Sequence, residues 1–429
     1  MTSVETETIK VLGLSPFPHQ NHYYDYLKPY DHIDLTVSNT IDPAVIVEQQ
    51  PDIVLTLTCH LWGLVTCIEQ ARDLKIPTLL LQDGIVEWRH TWENPTFGAG
   101  GKIPFNQPIA NDKIAVFGWR TARTFDMWGN QGKCEPIGAP RFDHYLTDPV
   151  PRPQQARTPK RLLVMTANTL GFDDDQRELA TRAIADVKQA IAADDRWQPI
   201  WRVTKHLDEQ LALTDDFPHL RGQPLREAFA EADAVITTPS TVALEAMLVG
   251  LPTAVIDYTN SPMYVQTGWF VSAQAHLART LAELAHPPAT RLLFQDEILH
   301  NNLLHTSPAT PRLLTLIEAM VAIGREARAN DTPLVYPPRI MPYEYDAQTP
   351  QSDHMNLQRL YPAHEAFQTD DVAELQYKLS VAHQRIAMLL RQVENVSISK
   401  YIGSAVRRVW LAYDRWRKRR TRSDITDQS

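Results

Sequence analysis

Short apolar runs alternate with amphipathic stretches along the first 140 residues. A helix is predicted over Leu61–Leu74, and it ends before Pro77. Because the apolar runs lack polar alternation and are separated by helical segments, they predict a parallel sheet covered on both faces. The strands of this sheet are predicted at Ile9–Leu14, Ile33–Val37, Ile53–Leu57, Thr78–Leu81 and Lys113–Phe117.

The same pattern restarts after residues 147–160, which contain four prolines and are interpreted as a linker. Strands are predicted at Arg161–Met165, Pro199–Val203, Ala234–Thr237 and Thr253–Asp257, and helices at Asp175–Ala193, Leu225–Glu231 and Thr241–Val249. We therefore predict an α/β protein with two Rossmann-like domains that face a cleft, an N-terminal domain at 1–146 and a C-terminal domain at 161–325.

Residues 326–371 are polar and contain prolines without any period, so they are interpreted as a linker or wrapping segment. A heptad pattern follows over 372–396 and predicts a coiled coil that self-associates or pairs with a partner. The alternative is a helix that packs on its own domain. The apolar positions of the heptad are Val372, Leu375, Leu379, Ala382, Ile386, Leu389, Val393 and Val396.

Residues 397–422 combine apolar residues at helical spacing with nine Lys or Arg and one acid. This pattern predicts a basic amphipathic helix that lies on an anionic membrane surface. Nucleic-acid binding and a solvated tail are the alternatives. The whole chain has a net charge of −9, so the rest of it is acidic and no nucleic-acid partner is expected.

Composition narrows the class of protein further. Hydrophobic residues make up 43% and charged residues 22%, which excludes a largely disordered chain. No stretch of 18 apolar residues predicts a spanning helix, and no apolar segment near the start predicts a signal peptide. Cys59, Cys67 and Cys134 predict no disulfide framework. We expect a cytoplasmic protein, peripheral on the inner face of the cytoplasmic membrane.

The turn between the strand at 234–237 and the following helix is the first candidate binding site. Pro239 fixes the entry to the helix, and Ser240 or Thr241 can cap it. A helix N-terminus at the end of a parallel strand offers unpaired N–H groups to a phosphate. Glu245 lies one turn further on and can reach a sugar or ribose hydroxyl. A capped βαβ unit without a ligand is the alternative.

Three segments carry a family resemblance that covers roughly residues 50–285. Residues 237–246 with Gly250-Leu251-Pro252 resemble the nucleotide-sugar region of GT-B-fold proteins. Residues 138–143, with Arg141 and Asp143, resemble the domain-junction element of surface-polysaccharide transferases and CDP-glycerol glycerophosphotransferases. Residues 201–206 resemble a basic element near the donor phosphates, although a leucine follows where the family has proline.

The resemblance implies a nucleotide-sugar as the donor substrate and no separate cofactor. It implies that the turn and helix bind the donor pyrophosphate without a metal ion and that Glu245 lies near the donor. The residues implied to bind the donor are Lys205, His206, Pro239, Ser240, Thr241 and Glu245.

Asp83 stands where relatives often have the histidine of a Gln-His-Gly sequence, which is suspected to act as the base. Asp83 is therefore one candidate base, and Glu87, His90 and His60 are others. A turn capped by Asp83 is the alternative. Residues 86–107 are aromatic and contain glycine, so they are expected to form an acceptor loop over the cleft.

No metal site is expected. The acidic run Asp173–Asp175 opens a predicted helix, where acids suit the helix dipole. The chain is thus predicted to be a glycosyltransferase that transfers a sugar to a surface-polysaccharide or lipid-linked acceptor. The alternatives are an enzyme like UDP-N-acetylglucosamine 2-epimerase, a CDP-glycerol-type glycerophosphotransferase, or a non-enzymatic scaffold of polysaccharide machinery.

Overall fold

The computed structural model describes residues 7–96, 105–151, 157–213, 222–342 and Leu411. The chain divides into two compact units, Met1–Tyr361 and Pro362–Ser429, and both predicted α/β domains lie in the first. The predicted coiled coil at 372–396 lies outside the described residues. The same holds for the predicted basic helix at 397–422 apart from Leu411, which is helical and exposed.

Six parallel strands form the first sheet. They are β1 (Ile9–Leu14), β2 (Ile33–Ser38), β3 (Ile53–Thr56), β4 (Thr78–Leu81), β5 (Lys113–Val116) and β6 (Cys134–Pro136). Their order is β2-β1-β3-β4-β5-β6. Every residue of β3, β4 and β5 is buried, as expected for strands covered on both faces. The five strands predicted from apolar runs are confirmed, and β6, which reads Cys-Glu-Pro, escaped the pattern.

Five parallel strands form the second sheet. They are β7 (Lys160–Met165), β8 (Trp197–Arg202), β9 (Ala234–Thr237), β10 (Thr253–Ile256) and β11 (Trp269–Val271). Their order is β11-β10-β9-β7-β8. The four predicted strands are confirmed, and β11 is a three-residue edge strand that the sequence pattern did not indicate. The two parallel sheets and their helices confirm the α/β class and the two Rossmann-like layers.

Helices connect the strands of both sheets. The α-helices are α1 (Ala44–Gln49), α2 (Trp62–Asp73), α3 (Trp119–Phe125), α4 (Asp143–Thr147), α5 (Asp174–Ala192), α6 (Lys205–Gln210), α7 (Leu225–Glu231), α8 (Val242–Leu248), α9 (Leu277–Ala285), α10 (Ala289–Asn302) and α11 (Ala309–Ala329). The Asp173 side chain caps α5 by accepting a hydrogen bond from the Gln176 backbone N–H at 2.8 Å. The acidic run therefore opens a helix, as its sequence predicted.

The last long helix, α11, returns to the first sheet. Leu313, Leu316, Ile317 and Met320 on α11 are fully buried and pack into the same core as residues of β1, β3 and β4. This packing differs from the predicted division of the chain, which assigns residues up to 325 to the second domain. The sequence pattern does not indicate which of the two sheets this helix covers.

The connection between α10 and α11 passes close to the first sheet. Gly138 has a φ of +90°, and a Cβ atom there would lie 2.4 Å from the Leu304 carbonyl oxygen. The Asp143 carboxylate accepts hydrogen bonds from the backbone N–H groups of Ala309 and Thr310 at 2.6 and 2.7 Å. Asp143 thus caps α11 and holds the chain where it crosses between the sheets.

A strap from the predicted wrapping segment follows α11 and packs on β5 and β6. Lys113, 1% exposed, donates hydrogen bonds to the Glu135 carboxylate and to the Pro337 carbonyl oxygen, both at 2.8 Å. Glu135 in turn accepts hydrogen bonds from the backbone N–H groups of Ile340 and Met341 at 2.8 and 3.1 Å. A buried ion pair therefore fastens residues 337–341 to the first sheet.

Candidate functional site

The loop after β4 meets the turn after β9, so segments that follow strands of the two sheets touch. The Ile85 backbone N–H donates a hydrogen bond to Thr241 Oγ1 at 3.2 Å. Gln82 holds the loop in place, because its amide donates to the Gly84 carbonyl oxygen at 2.7 Å and accepts from the Phe117 N–H at 2.7 Å. Asp83 is therefore fixed at the cleft by the residues on either side of it.

The positive charge of Arg141 acts on two carboxyl groups at this cleft, one from each domain. Burial raises the pKa of Asp83, although the positive charge of Arg141 acts in the opposite direction. Burial also raises the pKa of Glu245, and Arg141 is the first group that opposes that shift. The three residues come from three different sequence motifs.

Aromatic rings surround the Arg141 guanidinium. Its guanidinium carbon lies 5.0 Å from the ring centre of Phe142 and 5.6 Å from that of Tyr23. One of its terminal nitrogens donates to the Tyr23 hydroxyl oxygen at 3.3 Å. Its Nε is buried, and no described residue accepts a hydrogen bond from it. Aromatic rings hold a cation in position and leave its charge unneutralised.

Glu245 is held by a residue that the sequence analysis missed. The buried Tyr145 hydroxyl donates a hydrogen bond to Glu245 Oε2 at 3.0 Å, and burial followed by the Glu245 charge raises the pKa of Tyr145. The Arg202 charge also acts on Glu245 and lowers the pKa of that carboxyl. The sequence does offer one indication of Tyr145, because this residue lies just after the junction motif at 138–143, which contains Arg141.

Residues 85–93, within the segment 86–107 that was predicted to be an acceptor loop, contact the second domain through Arg89, and the acceptor role stays a prediction. Arg89, 3% exposed, pairs with Glu87 through Nε at 2.7 Å. It also lies 4.0 Å from the Asp257 carboxylate and 3.4 Å from the Leu170 carbonyl oxygen. Burial raises the pKa of Glu87, and the charge of Arg89 opposes this shift. Glu87 is therefore bound to Arg89 and less suited than Asp83 to take a proton.

The end of this loop binds the second domain through polar and aromatic contacts. Glu93 accepts a hydrogen bond from the Ser261 hydroxyl at 2.9 Å, and Trp92 Nε1 donates to the Tyr264 hydroxyl oxygen at 3.1 Å. The Trp92 ring lies 5.8 Å from that of Trp88 and is 48% exposed. Trp92 is therefore a surface residue at the edge of the cleft, with its indole fixed at one end.

His90 lies in an aromatic cluster beside His60. Its ring centre is 4.5 Å from that of Phe105 and 5.1 Å from that of Phe172. Burial and the neighbouring His60 lower the pKa of His90 to about 4. His90 is therefore neutral at pH 7 and packs between the domains, and it does not share the Arg141 cluster.

The turn between β9 and α8, which was predicted to bind the donor, is present, and some of its side chains form hydrogen bonds within the protein. Pro239 is buried, and Ser240 Oγ accepts a 3.4 Å hydrogen bond from the Val242 N–H. Thr241 is engaged with the loop of the first domain, as described above. The helix that follows, α8, is short, so the turn rather than a long helix dipole offers polar groups to a ligand.

The basic element predicted near the donor phosphates begins α6. His206 is exposed there, and the Lys205 side chain lies outside the described part of the chain. The preceding residue, Thr204, donates its backbone N–H to Thr166 Oγ1 at 3.0 Å. The ends of β7 and β8 are thus joined by a threonine hydroxyl beside the basic element.

Among the described residues, no group of three or more His, Cys, Asp or Glu side chains is arranged to hold a metal ion. The same part of the chain contains no helix that is both long and apolar enough to cross a membrane.

No protein-family model and no curated protein matches the chain. A structure of MnaA from Staphylococcus aureus with UDP matches 77% of this chain and 100% of its own, with a TM-score of 0.53 and 11% identity. A putative UDP-N-acetylglucosamine 2-epimerase from Listeria monocytogenes matches 73% of this chain and 96% of its own, with a TM-score of 0.51 and 13% identity. These similarities concern the fold. The chain therefore has the two-domain, GT-B-like α/β fold that its sequence predicted.

Proposed function

We propose that this protein is a metal-independent glycosyltransferase that transfers a sugar from a nucleotide-sugar to an acceptor. The observation that carries the proposal is the contact at the cleft between the loop that holds Asp83 and the start of α8, the helix that carries Glu245. The charge of Arg141 acts there on both carboxyl groups, whose pKa values are raised by burial. A protein of this fold with UDP bound, from Staphylococcus aureus, supports a nucleotide as part of the donor.

Asp83 acts as the base in this proposal. The acceptor oxygen forms a bond to the anomeric carbon of the sugar, and the bond from that carbon to the phosphate oxygen breaks. The bonding electrons leave with the nucleoside diphosphate, and the acceptor proton passes to Asp83. A carboxyl whose pKa is raised by burial is a stronger base than one in water, which suits this step.

The donor is held from the second domain. Glu245, positioned by the Tyr145 hydroxyl, accepts hydrogen bonds from donor hydroxyl groups. Ser240 and the turn around Pro239 offer hydroxyl and backbone N–H groups to the diphosphate. Lys205 and Arg141 supply the positive charge that offsets the leaving group, and the exposed His206 offers a ring N–H to the diphosphate.

The acceptor lies over the first domain. Trp92 presents an exposed indole at the edge of the cleft, and Trp88 lies beside it. Indole faces pack against the C–H faces of sugar rings, so a polysaccharide or the glycan of a lipid-linked acceptor fits this edge. Surface-polysaccharide assembly is the process in which we place the reaction.

A 2-epimerase acting on a UDP-sugar is the second candidate function. The similarity in fold to a putative UDP-N-acetylglucosamine 2-epimerase favours it. Such an enzyme needs the nucleotide-sugar alone and leaves the bond between sugar and nucleotide intact at the end. The two functions therefore differ in their products.

The test begins with a thermal-shift screen of UDP, GDP, CDP, CMP and dTDP. A ligand present at 100 times its dissociation constant stabilises the protein by about 2.7 kcal/mol. The matching nucleotide-sugars are then incubated with and without glycan acceptors and analysed by NMR. Release of the nucleoside diphosphate with a new glycoside supports the transferase, whereas an epimerised nucleotide-sugar formed without acceptor supports the epimerase. Stabilisation by none of these nucleotides contradicts both.

Two further partners remain proposals. We propose that residues 372–396 self-associate through their heptad positions. The variant Leu379→Asp with Ile386→Asp then lowers the mass measured by light scattering, and a wild-type protein that is monomeric at micromolar concentration contradicts self-association. We also propose an anionic membrane surface as the partner of residues 397–422.

A further inference from the structure

A second cavity lies in the second domain, between the end of β10, the edge strand β11 and the helix α10. Its volume is about 420 Å³, within the range of small-molecule sites in proteins. The residues that shape it include Pro262, Met263, Gln266, Phe270, Arg291 and Phe294. The proposed reaction uses none of these side chains.

The walls of this cavity are apolar and exposed to solvent. The Phe270 side chain on β11 is 42% exposed, and Phe294 on α10 is 41% exposed. Met263 and Pro262 close the side formed by the loop after β10. Aromatic surface in a concave site gains free energy when an apolar ligand removes it from water, at roughly 25 cal/mol per Å².

One surplus positive charge stands at the same cavity. Arg291 Nε lies 3.6 Å from Glu283 Oε2. Glu283 also accepts a hydrogen bond from Arg279 Nε at 2.7 Å and one from Trp269 Nε1 at 2.9 Å. Two guanidinium groups therefore share one carboxylate. Arg291 is the one that lines the cavity, and its side chain is 43% exposed.

The cavity adjoins the cleft through a short loop. Ser261 lines the cavity and donates its hydroxyl to Glu93 of the cleft loop at 2.9 Å. Pro262 and Met263 also line the narrow space beside Trp88 on the cleft side. A ligand in the cavity therefore contacts the segment to which the first domain is bound.

We propose that this cavity binds a single-chain amphiphile with an anionic head group. The apolar chain packs against Phe270, Phe294 and Met263, and the head group pairs with Arg291, whose charge is only partly compensated. An isoprenoid phosphate and a fatty acid share this chemistry. The proposal does not rest on the glycosyltransferase reaction, because no residue of the proposed catalytic cluster takes part.

Binding to the full-length protein is measured by isothermal titration calorimetry with farnesyl phosphate and with dodecanoate, each below its micelle concentration. We expect saturable binding of one or both, and the stronger ligand identifies the source of the amphiphile. We expect inorganic phosphate and the neutral dodecanol to bind at least tenfold more weakly. Saturable binding of neither amphiphile, or equally tight binding of dodecanol, overturns the proposal.

Variants locate the site, since the basic residues 397–422 also attract anionic amphiphiles. We expect Arg291→Gln and Phe294→Ser each to weaken binding about tenfold, and Arg279→Gln to weaken it about threefold by removing the surplus charge. The matched controls Arg182→Gln and Phe17→Ser, at exposed positions elsewhere, should change it less than twofold. Affinity unchanged in Arg291→Gln and Phe294→Ser places the amphiphile elsewhere and overturns the proposal.

The strictest test is a variant that is expected to bind the amphiphile more tightly. Glu283→Gln removes the carboxylate that competes for Arg291 and keeps an oxygen that accepts from Trp269 Nε1. We expect this variant to bind the amphiphile three- to fivefold more tightly. Weaker binding by the folded Glu283→Gln variant overturns the role of Arg291. Far-UV circular dichroism of each variant confirms that the comparison is made between folded proteins.

Discussion

The Ile85 backbone N–H and the Thr241 side-chain oxygen form a 3.2 Å hydrogen bond that joins the loop after β4 to the start of α8. One lone pair of the hydroxyl oxygen is used in this contact, while its O–H remains able to donate to a phosphate oxygen. In the proposed function, donor binding and the contact between the two domains therefore involve the same hydroxyl group.

Hydrogen exchange of the Ile85 amide reports on this contact. Thr241→Val keeps the shape of the side chain and removes the acceptor, so we expect the Ile85 amide to exchange about five- to tenfold faster, since one hydrogen bond contributes about 1 kcal/mol. Ser240→Ala is the control, because Ser240 does not bond to Ile85. Equal exchange rates in wild type and Thr241→Val would show that the contact does not form in solution.

Asp83→Asn separates catalysis from stability. If Asp83 is the base, the variant loses about 10²- to 10⁴-fold in turnover of the nucleotide-sugar that stabilises the protein. Burial raises the pKa of Asp83 in the folded protein, so ionising this carboxyl costs more free energy in the folded state than in the unfolded chain. The free energy of unfolding therefore falls as pH rises through that pKa. We therefore expect Asp83→Asn to melt at a higher temperature than wild type at pH 7.5, measured by calorimetry.

The advantage of Asp83→Asn should shrink towards pH 4, where the wild-type carboxyl takes up a proton. Asp31→Asn, at an exposed position, is the matched control. Full turnover by Asp83→Asn would contradict a role of Asp83 as the base. Asp83 would then only cap the turn with Gly84, which is the alternative given in the sequence analysis.

The central strands were predictable because each is an uninterrupted apolar run, and β3, β4 and β5 are buried on both faces as that pattern requires. The edge strands β6 and β11 were not. Each has three residues, and neither a glutamate-proline pair nor an exposed phenylalanine produces an apolar run. Short edge strands depend on their neighbours more than on their own sequence.

The candidate site was predicted in parts. Local motifs pointed to Asp83, Arg141 and Glu245 separately, but a single sequence does not show that the charge of one arginine acts on carboxyl groups 58 and 104 residues away from it. Tyr145 was missed because its role depends on Glu245, which is 100 residues away. The predicted second domain, 161–325, includes most of α11, but α11 packs on the first sheet, and this long-range contact was likewise not visible in the sequence.

His90 should make the protein sensitive to acid. Its folded pKa is about 4, below the usual value near 6.5, so protonation below pH 6.5 favours the unfolded chain. His90→Phe keeps an aromatic ring between Phe105 and Phe172 and removes this titration. From pH 7.5 to 4.5, we expect the unfolding free energy of wild type to fall by on the order of 2 kcal/mol relative to the variant.

Urea denaturation at the two pH values measures this difference. The comparison with the variant is needed because the pKa values of Asp83, Glu87 and Glu245 are also shifted, upwards. Protonation of these carboxyl groups stabilises the folded protein on acidification, which opposes the effect of His90 in wild type. His22→Phe, at an exposed position, serves as the control. Parallel pH profiles for wild type and His90→Phe would contradict the burial of a neutral histidine.

The strap after α11 depends on the buried pair of Lys113 and Glu135. Lys113→Met leaves the Glu135 carboxylate buried without its cation, and we expect a loss of about 3–5 kcal/mol in the unfolding free energy. Adding Glu135→Gln should recover much of this loss, because the amide oxygen still accepts from the Ile340 N–H. Urea denaturation measures both variants, and a double variant no better than Lys113→Met would argue against the unpaired charge as the cause.

The basic segment 397–422 should bind anionic membranes through two separable contributions. Its apolar residues contribute about 0.8 kcal/mol for each buried CH₂ group, and each basic residue near an anionic surface contributes about 1 kcal/mol before screening. Deleting 397–429 should abolish sedimentation with anionic vesicles and leave stabilisation by nucleotide unchanged. Trp410→Ser with Trp416→Ser keeps every charge and should weaken binding at all salt concentrations. Wild-type binding should fall as salt rises from 0.1 to 1 M, because the Debye length shrinks from about 10 to 3 Å. Equal sedimentation of the full-length and truncated proteins would place the membrane contact outside this segment.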